Sequence, residues 1–222
     1  MTGVMVFAAG LGTRMRPLTD DRPKALVEVA GRPLLDHALE QVAGPGPVVV
    51  NAHHHAGQVA AHLAGRDVTV LEEQPAPLET GGGLRNARAH LGPDPVLTMN
   101  ADAVWTGPLA RATLEAEWRD HMEGLLLLVP ATRAINHPGQ DFAMTPDGRL
   151  TRDGRDMAYT GAGLLRTDGL DGITTRAFSL WELWRPMLER GTLHGIAHPG
   201  HWADVGTPAG IARAEAMLAQ TA

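Results

Sequence analysis

The sequence predicts a Rossmann-like, three-layer α/β fold: a mostly parallel sheet between two layers of helices, with a small antiparallel insertion. Three observations carry this. Short, wholly apolar runs alternate with segments of helical periodicity, the pattern of βα units feeding a parallel sheet buried on both faces. The connections between them are short. The rhythm breaks over residues 130–176, where short apolar stretches are separated by Asp-Gly turns.

Val4 to Ala8 is apolar and runs straight into glycines, as a buried first strand does; no charged lead of a signal peptide precedes it. Pro33 to Ala43 is helical in pattern, with Leu34, Leu35, Ala38, Leu39 and Val42 on one face, and Gly44-Pro45-Gly46-Pro47 ends it. Val48 to Val50 is the second strand, Gly57 to Leu63 a helix and Val68 to Leu71 the third strand. Leu84 to His90 is a helix, Pro95 to Met99 the fourth strand, Leu109 to Arg119 a helix and Gly124 to Val129 the fifth strand. Phe142 to Thr145, Leu150 to Arg152 and Met157 to Leu165 read as short strands around the Asp147-Gly148 and Asp153-Gly154 turns, an antiparallel insertion over one end of the sheet. Leu180 to Arg190 is a helix, Trp202 to Val205 a short strand and Pro208 to Gln220 a closing helix. No repeat or linker divides the chain, so residues 1–222 are expected to form one domain.

Composition narrows the function. A net charge of -6 argues against a nucleic-acid binder, which carries a basic footprint. The absence of cysteine excludes disulfides, thiolate metal sites and cysteine nucleophiles, and fits a cytoplasmic protein. No apolar run approaches the ~18 residues of a membrane helix, so no membrane partner is expected. A monomer and a small homo-oligomer are both compatible with the chain.

Ligands of open α/β sheets bind beyond the carboxyl ends of the strands. There the chain reads Ala8-Ala9-Gly10-Leu11-Gly12-Thr13-Arg14-Met15-Arg16. Glycines let backbone N–H groups approach phosphate oxygens, and Arg14 and Arg16 add multidentate cationic donors. Pro23-Lys24 follows. The Walker A lysine pattern is absent, and Met15 stands where the dinucleotide fingerprint has its third glycine. Two glycines alone fit a solvated turn equally well.

The longer pattern settles the comparison. The loop, followed by Pro17-Leu18-Thr19, Pro23-Lys24-Ala25-Leu26 and Val29-Ala30-Gly31-Arg32-Pro33-Leu34, resembles the signature of the sugar-phosphate nucleotidyltransferases, whose fold is the nucleotide-diphospho-sugar transferase type. Leu78-Glu79-Thr80-Gly81-Gly82-Gly83 is similar to a run in the N-acetylmuramic acid 1-phosphate uridylyltransferases of cell-wall (peptidoglycan) recycling. The resemblance implies transfer of a nucleoside monophosphate from a nucleoside triphosphate, UTP by this likeness, to a sugar 1-phosphate, with release of pyrophosphate. It implies that Arg14 and Lys24 are catalytic, Arg14 on the leaving pyrophosphate and Lys24 on the α-phosphate or the sugar phosphate. It implies a nucleotide site of Ala8, Gly10, Leu11, Gly12, Thr13, Arg14, Lys24, Gln74, Thr80, Gly81 and Asn100. Gln74 reads equally well as a surface glutamine.

Asp102 ends the fourth strand at the same rim as the loop, and Asp204 lies in His201-Trp202-Ala203-Asp204-Val205-Gly206-Thr207-Pro208. Two carboxylates sharing one rim suit Mg²⁺, which takes one or two carboxylates together with phosphate oxygens. The resemblance makes both Asp102 and Asp204 metal ligands; a cap or turn role is the alternative for Asp102. Ala101 stands where the family has glycine, which matters if that position needs positive φ. Ser179, in Phe178-Ser179-Leu180, stands where the family often has lysine. Asp141, Thr160 and Gly161 resemble sugar-pocket positions, which makes residues 130–176 a sugar-binding insertion; Asp141 also reads as a turn aspartate. His53-His54-His55 is not expected to bind metal, because consecutive side chains of an extended segment face opposite ways. Trp181 and Trp184 are at helical spacing and are expected in core or interface. A hexose 1-phosphate or phosphocholine as substrate, and a non-catalytic nucleotide-sugar sensor, remain the alternatives. A dinucleotide-dependent oxidoreductase is disfavoured by Met15.

Overall fold

The computed structural model describes residues 1–220. Seven strands make the central sheet: β1 Val4–Phe7, β2 Val48–Ala52, β3 Thr69–Glu72, β4 Val96–Asn100, β5 Gly124–Pro130, β6 Met157–Leu165 and β7 Leu193–Ala197. Their spatial order is β7-β5-β6-β4-β1-β2-β3. All neighbours pair in parallel except β6, which runs antiparallel to both β4 and β5. The helices are α1 Leu34–Gln41, α2 Ala56–His62, α3 Glu79–Leu91, α4 Ala110–Glu117, α5 Trp181–Arg190 and α6 Pro208–Ala219. None of the described helices is long and apolar enough to cross a membrane.

The period-2 alternation of the strands divides the core. Val4, Val6, Leu125 and Leu127 face α1, α2 and α4, while Met5, Leu126 and Leu128 face α3 and α5. A third cluster, with Met15, Val104, Val205 and Met217, lies under α6. It backs a small sheet in which Trp202–Asp204 sits between Ala103–Trp105 and Ala134–Ile135.

Two expectations change here. Met157–Leu165 is not part of an insertion over the end of the sheet. It is a nine-residue strand in its middle, buried along nearly all its length, because an apolar run of that length satisfies its backbone only between two neighbours. Leu193–Ala197, unrecognised in sequence because His194 and Gly195 interrupt its apolar character, adds an edge strand parallel to β5. Of residues 130–176, the stretch outside the main sheet holds the short Ala143–Met144 and Leu150–Thr151 hairpin and the Ala134–Ile135 strand.

Candidate active site

The loop after β1 wraps a cavity of about 480 Å³. Phe7 to Arg14, Lys24, Ala25, Asn51, Glu73, Pro77, Glu79, Thr80, Asn100 to Asp102 and Gly206 line it. Gly12 is left-handed, at φ 62°, and opens the 3₁₀ turn Thr13–Met15. A methyl there would lie 3.0 Å from both Thr19 and Lys24, so glycine answers space as well as φ. The Thr19 hydroxyl donates to the Gly12 carbonyl at 2.8 Å and closes the loop. Among the described residues, the amides of Gly10, Leu11 and Gly12 donate to no protein acceptor, which leaves a row of N–H groups for an anion.

The loop is anchored from below by two residues without a sequence signal. Asn51 accepts the Ala8 amide at 2.8 Å and donates to Glu73 at 2.7 Å; Glu73 also accepts the Leu78 amide at 2.7 Å. Both side chains are buried. Asn51→Ala strips partners from the Ala8 amide and one Glu73 oxygen, so it is expected to lower stability by about 2–4 kcal/mol. Urea unfolding checks this, and an unmoved midpoint would refute the anchor.

A second cavity, of about 230 Å³, adjoins the first and shares Asn100 and Asp102 with it. Its walls include His137, Asp141, Phe142, Arg152, Tyr159, Gly161, the three tryptophans Trp181, Trp184 and Trp202, and Asp204. Among the described residues, the buried indole N–H groups of Trp184 and Trp202 meet no acceptor. Asp141 accepts the Tyr159 amide at 2.8 Å, which orients its carboxylate.

Asp102 and Asp204 meet at the junction although 102 positions separate them in the chain. Trp202–Asp204 pairs antiparallel with Ala103–Trp105, setting Asp204 beside Ala103, and the Val205 amide donates to the Asp102 carbonyl at 2.8 Å. Burial first, and the charge of Asp102 second, push the Asp204 carboxyl above its ordinary range; Lys24, His137 and Arg14 pull it back. Lys24 Nζ donates to Asp102 Oδ2 at 2.9 Å. A methyl at Gly206 would sit 2.9 Å from Asp204 Oδ2 and 3.3 Å from Arg14 Nη2, so this glycine lets carboxylate and guanidinium flank the chain.

A family model for the MobA-like NTP transferase domain matches residues 4–155, from β1 to just before β6. The chain belongs to this family. Along nearly its whole length this nucleotidyltransferase is 39% identical to the N-acetylmuramate alpha-1-phosphate uridylyltransferase of Caulobacter vibrioides, covering 97% of the chain and 96% of the relative. The protein of the same name from Neisseria meningitidis serogroup B is 32% identical, with 96% of each chain covered. Among solved structures, a putative glucose-1-phosphate thymidylyltransferase from Bacillus anthracis superposes with a TM-score of 0.82 at 19% identity, over 97% of this chain and 94% of the other. The inositol-1-phosphate CTP transferase of T. maritima gives 0.78 at 15% identity, over 100% and 96%. At those identities the two structures speak for the fold.

The nucleotidyltransferase fold gathers most, but not all, of the residues expected at its site. Ala8, Gly10, Leu11, Gly12, Thr13, Arg14, Lys24, Thr80, Asn100 and Asp102 border the first cavity; Asp141, Gly161 and Asp204 border the second. The Ala8 amide, however, is taken by Asn51. Gln74 lies outside both cavities, exposed and bonded to Glu72. Gly81 is inside α3, which starts at Glu79 rather than Leu84, and its amide donates to the Phe178 carbonyl. The three glycines serve packing: a methyl would meet the Phe178 ring at Gly81, the Arg176 carbonyl at Gly82, and Asn51 and Glu73 at Gly83. Thr160 turns its buried hydroxyl to the Leu127 carbonyl at 2.5 Å, opposite the register shift between Tyr159 and Gly163, and away from the sugar side. Arg16 pairs with Asp20 instead of facing the cavity.

Ala101 is not among the residues with positive φ, so the missing glycine costs no strain. Ser179 accepts the Trp181 amide at 3.3 Å in the first turn of α5. His53, His54 and His55 bond three different carbonyls, those of Glu73, Thr19 and Asp20. Trp184 is core, as expected, but both it and Trp181 also wall the second cavity.

Proposed function

We propose that the protein is a uridylyltransferase that joins the UMP part of UTP to N-acetylmuramate 1-phosphate and releases pyrophosphate. The observation that carries this is the pair of cavities meeting at Asp102: one edged by unpartnered loop amides, the other by aromatic rings and an oriented carboxylate. The identity of the acceptor rests on the full-length similarity to uridylyltransferases of that name.

An oxygen of the sugar phosphate attacks the α-phosphorus. A new P–O bond forms, the bond to the bridging oxygen breaks in line, and pyrophosphate departs. The chain supplies positioning and charge. The Gly10, Leu11 and Gly12 amides hold the leaving phosphates, and Arg14 takes up the charge that grows on them. Lys24 exchanges Asp102 for a phosphate oxygen near the transferred phosphorus. Thr80 and Asn100 border the nucleoside end. Asp141 accepts from a sugar hydroxyl or amide against the ring wall of Phe142 and Trp184.

Asp102 and Asp204, two carboxylates pressed together against their own repulsion, fit a hard dication such as Mg²⁺. Bound there, it would neutralise negative charge on the phosphate groups. Nucleoside triphosphates are plentiful in the cytoplasm, where we place the reaction.

The test is pyrophosphate release from each common triphosphate with Mg²⁺ and a panel of sugar 1-phosphates. UTP with N-acetylmuramate 1-phosphate is expected to give the highest kcat/KM, and chelation of the metal is expected to abolish it. No release from any pair sinks the enzyme mechanism; release confined to a hexose 1-phosphate sinks the acceptor.

A further inference from the structure

Among the described residues, Arg152 is the one permanent cation lining the second cavity. It follows the short Leu150–Thr151 strand and is exposed at the rim. Its guanidinium lies 4.8 Å from the Trp181 ring centroid and 5.9 Å from that of Phe142. Nη1 donates to the Asp141 carbonyl at 3.0 Å. Among the described residues no carboxylate lies within ion-pair reach of it, although three aspartates line the same cavity. The backbone bond and the two rings therefore hold the fork in place and leave its remaining N–H donors unmatched.

The electrostatics of the cavity make this arrangement selective. Asp102, Asp141 and Asp204 repel an anion, and the phosphate of a sugar 1-phosphate is met by Lys24 where the two cavities join. A neutral hexose needs no further cation. A sugar with a second anionic group needs one at its far end, and a planar guanidinium stacked on aromatic rings matches a carboxylate with two parallel donors. Stacking on Trp181 covers one face of the guanidinium and leaves its in-plane N–H edge free to meet an anion.

We infer that Arg152 is a specificity-determining residue that binds the carboxylate of an acidic substituent on the sugar 1-phosphate. This rests on the sugar-phosphate transfer proposed above and deepens it. It separates a sugar acid, such as the ether-linked acid of N-acetylmuramate, from a neutral amino sugar of the same ring.

The experiment compares two acceptors, N-acetylmuramate 1-phosphate and the same molecule with its carboxylate converted to the carboxamide, by steady-state pyrophosphate release with UTP. The wild-type protein is expected to prefer the carboxylate by about tenfold or more in kcat/KM, the difference lying in KM. Arg152→Gln is expected to erase that preference, and Arg152→Lys, which keeps charge without the fork, to retain part of it. Thermal melting of each variant shows whether it is folded, and Arg152→Lys carries the comparison if Arg152→Gln is not. A preference equal to that of the wild type in the folded variant, or equal losses on both acceptors, overturns the assignment and leaves Arg152 a structural tie to Asp141. A wild-type protein that does not distinguish the two acceptors overturns it as well, while the transfer reaction stands. If neither acceptor nor any other sugar 1-phosphate is turned over, the reaction itself falls and the assignment with it.

Discussion

Asp102→Asn is expected to lower kcat at least about a hundredfold, on the scale of losing one charged group from a phosphoryl-transfer site. Asp102 is the only carboxylate among the described residues that borders both cavities. It is also the partner of Lys24, and its charge is what Asp204 feels. Asparagine keeps the shape and removes the charge, so the dication proposed for this junction would lose a ligand, and Lys24 loses its guide. The fold should survive. The Lys24–Asp102 pair is part-exposed, with 36% of the aspartate side chain accessible, so its loss should cost no more than about 1 kcal/mol after solvent screening. For a chain of this size that moves Tm by only a few degrees. Saturating-substrate kinetics alongside thermal melting separate the two effects. A turnover near that of the wild type would mean that the junction of the cavities is not where the phosphate chemistry happens.

Gly161→Ala is expected to give the largest structural effect of any single methyl at the site. Gly161 stands in the register shift of β6 with φ at 88°, where an L-residue is strained by roughly 1–2 kcal/mol. Its new methyl would lie 2.7 Å from Asn100 Cβ and 3.1 Å from Asn100 Nδ2. Asn100 is held on β4, paired with both β1 and β6, so relief requires a strand to move, at a further cost of about 1–3 kcal/mol. The sum, about 2–5 kcal/mol, corresponds to a fall in Tm of roughly 4–20 °C. Because Asn100 borders both cavities, KM for nucleotide and for sugar phosphate should rise together. A melting temperature equal to that of the wild type would show that β6 has slack the register does not suggest.

Much of the fold was legible because its signals are local. Val4–Phe7 and Gly124–Pro130 are apolar runs that only a doubly covered strand can bury, and the α1 face repeats at helical spacing. The misreadings share one cause. Met157–Leu165 looked like a neighbour of the short strands before it, and nothing within that segment says that it crosses between β4 and β5. Leu193–Ala197 has a weak pattern and exists as a strand because β5 offers it an edge.

The site divides along the same line. The sequence by itself determined that the glycine loop, Arg14, Lys24 and the strand-end aspartate share one rim, which the fold opens as a cavity. Those groups lie within one strand–loop unit or at a strand terminus, and the end of a parallel strand is where such a fold opens. It could not tell that the glycines after Glu79 are there for Phe178, Arg176 and the Asn51–Glu73 pair rather than for a ligand, since a glycine records a close approach but not what approaches. Only the tertiary structure decided which strand pairing sets Asp204 beside Ala103, that Gly206 leaves room for Arg14, and that Arg152 rests on Trp181 beside three aspartates. Each of these is a contact between segments tens to hundreds of residues apart in the chain, made by cross-strand bonds and side-chain packing that no local pattern encodes.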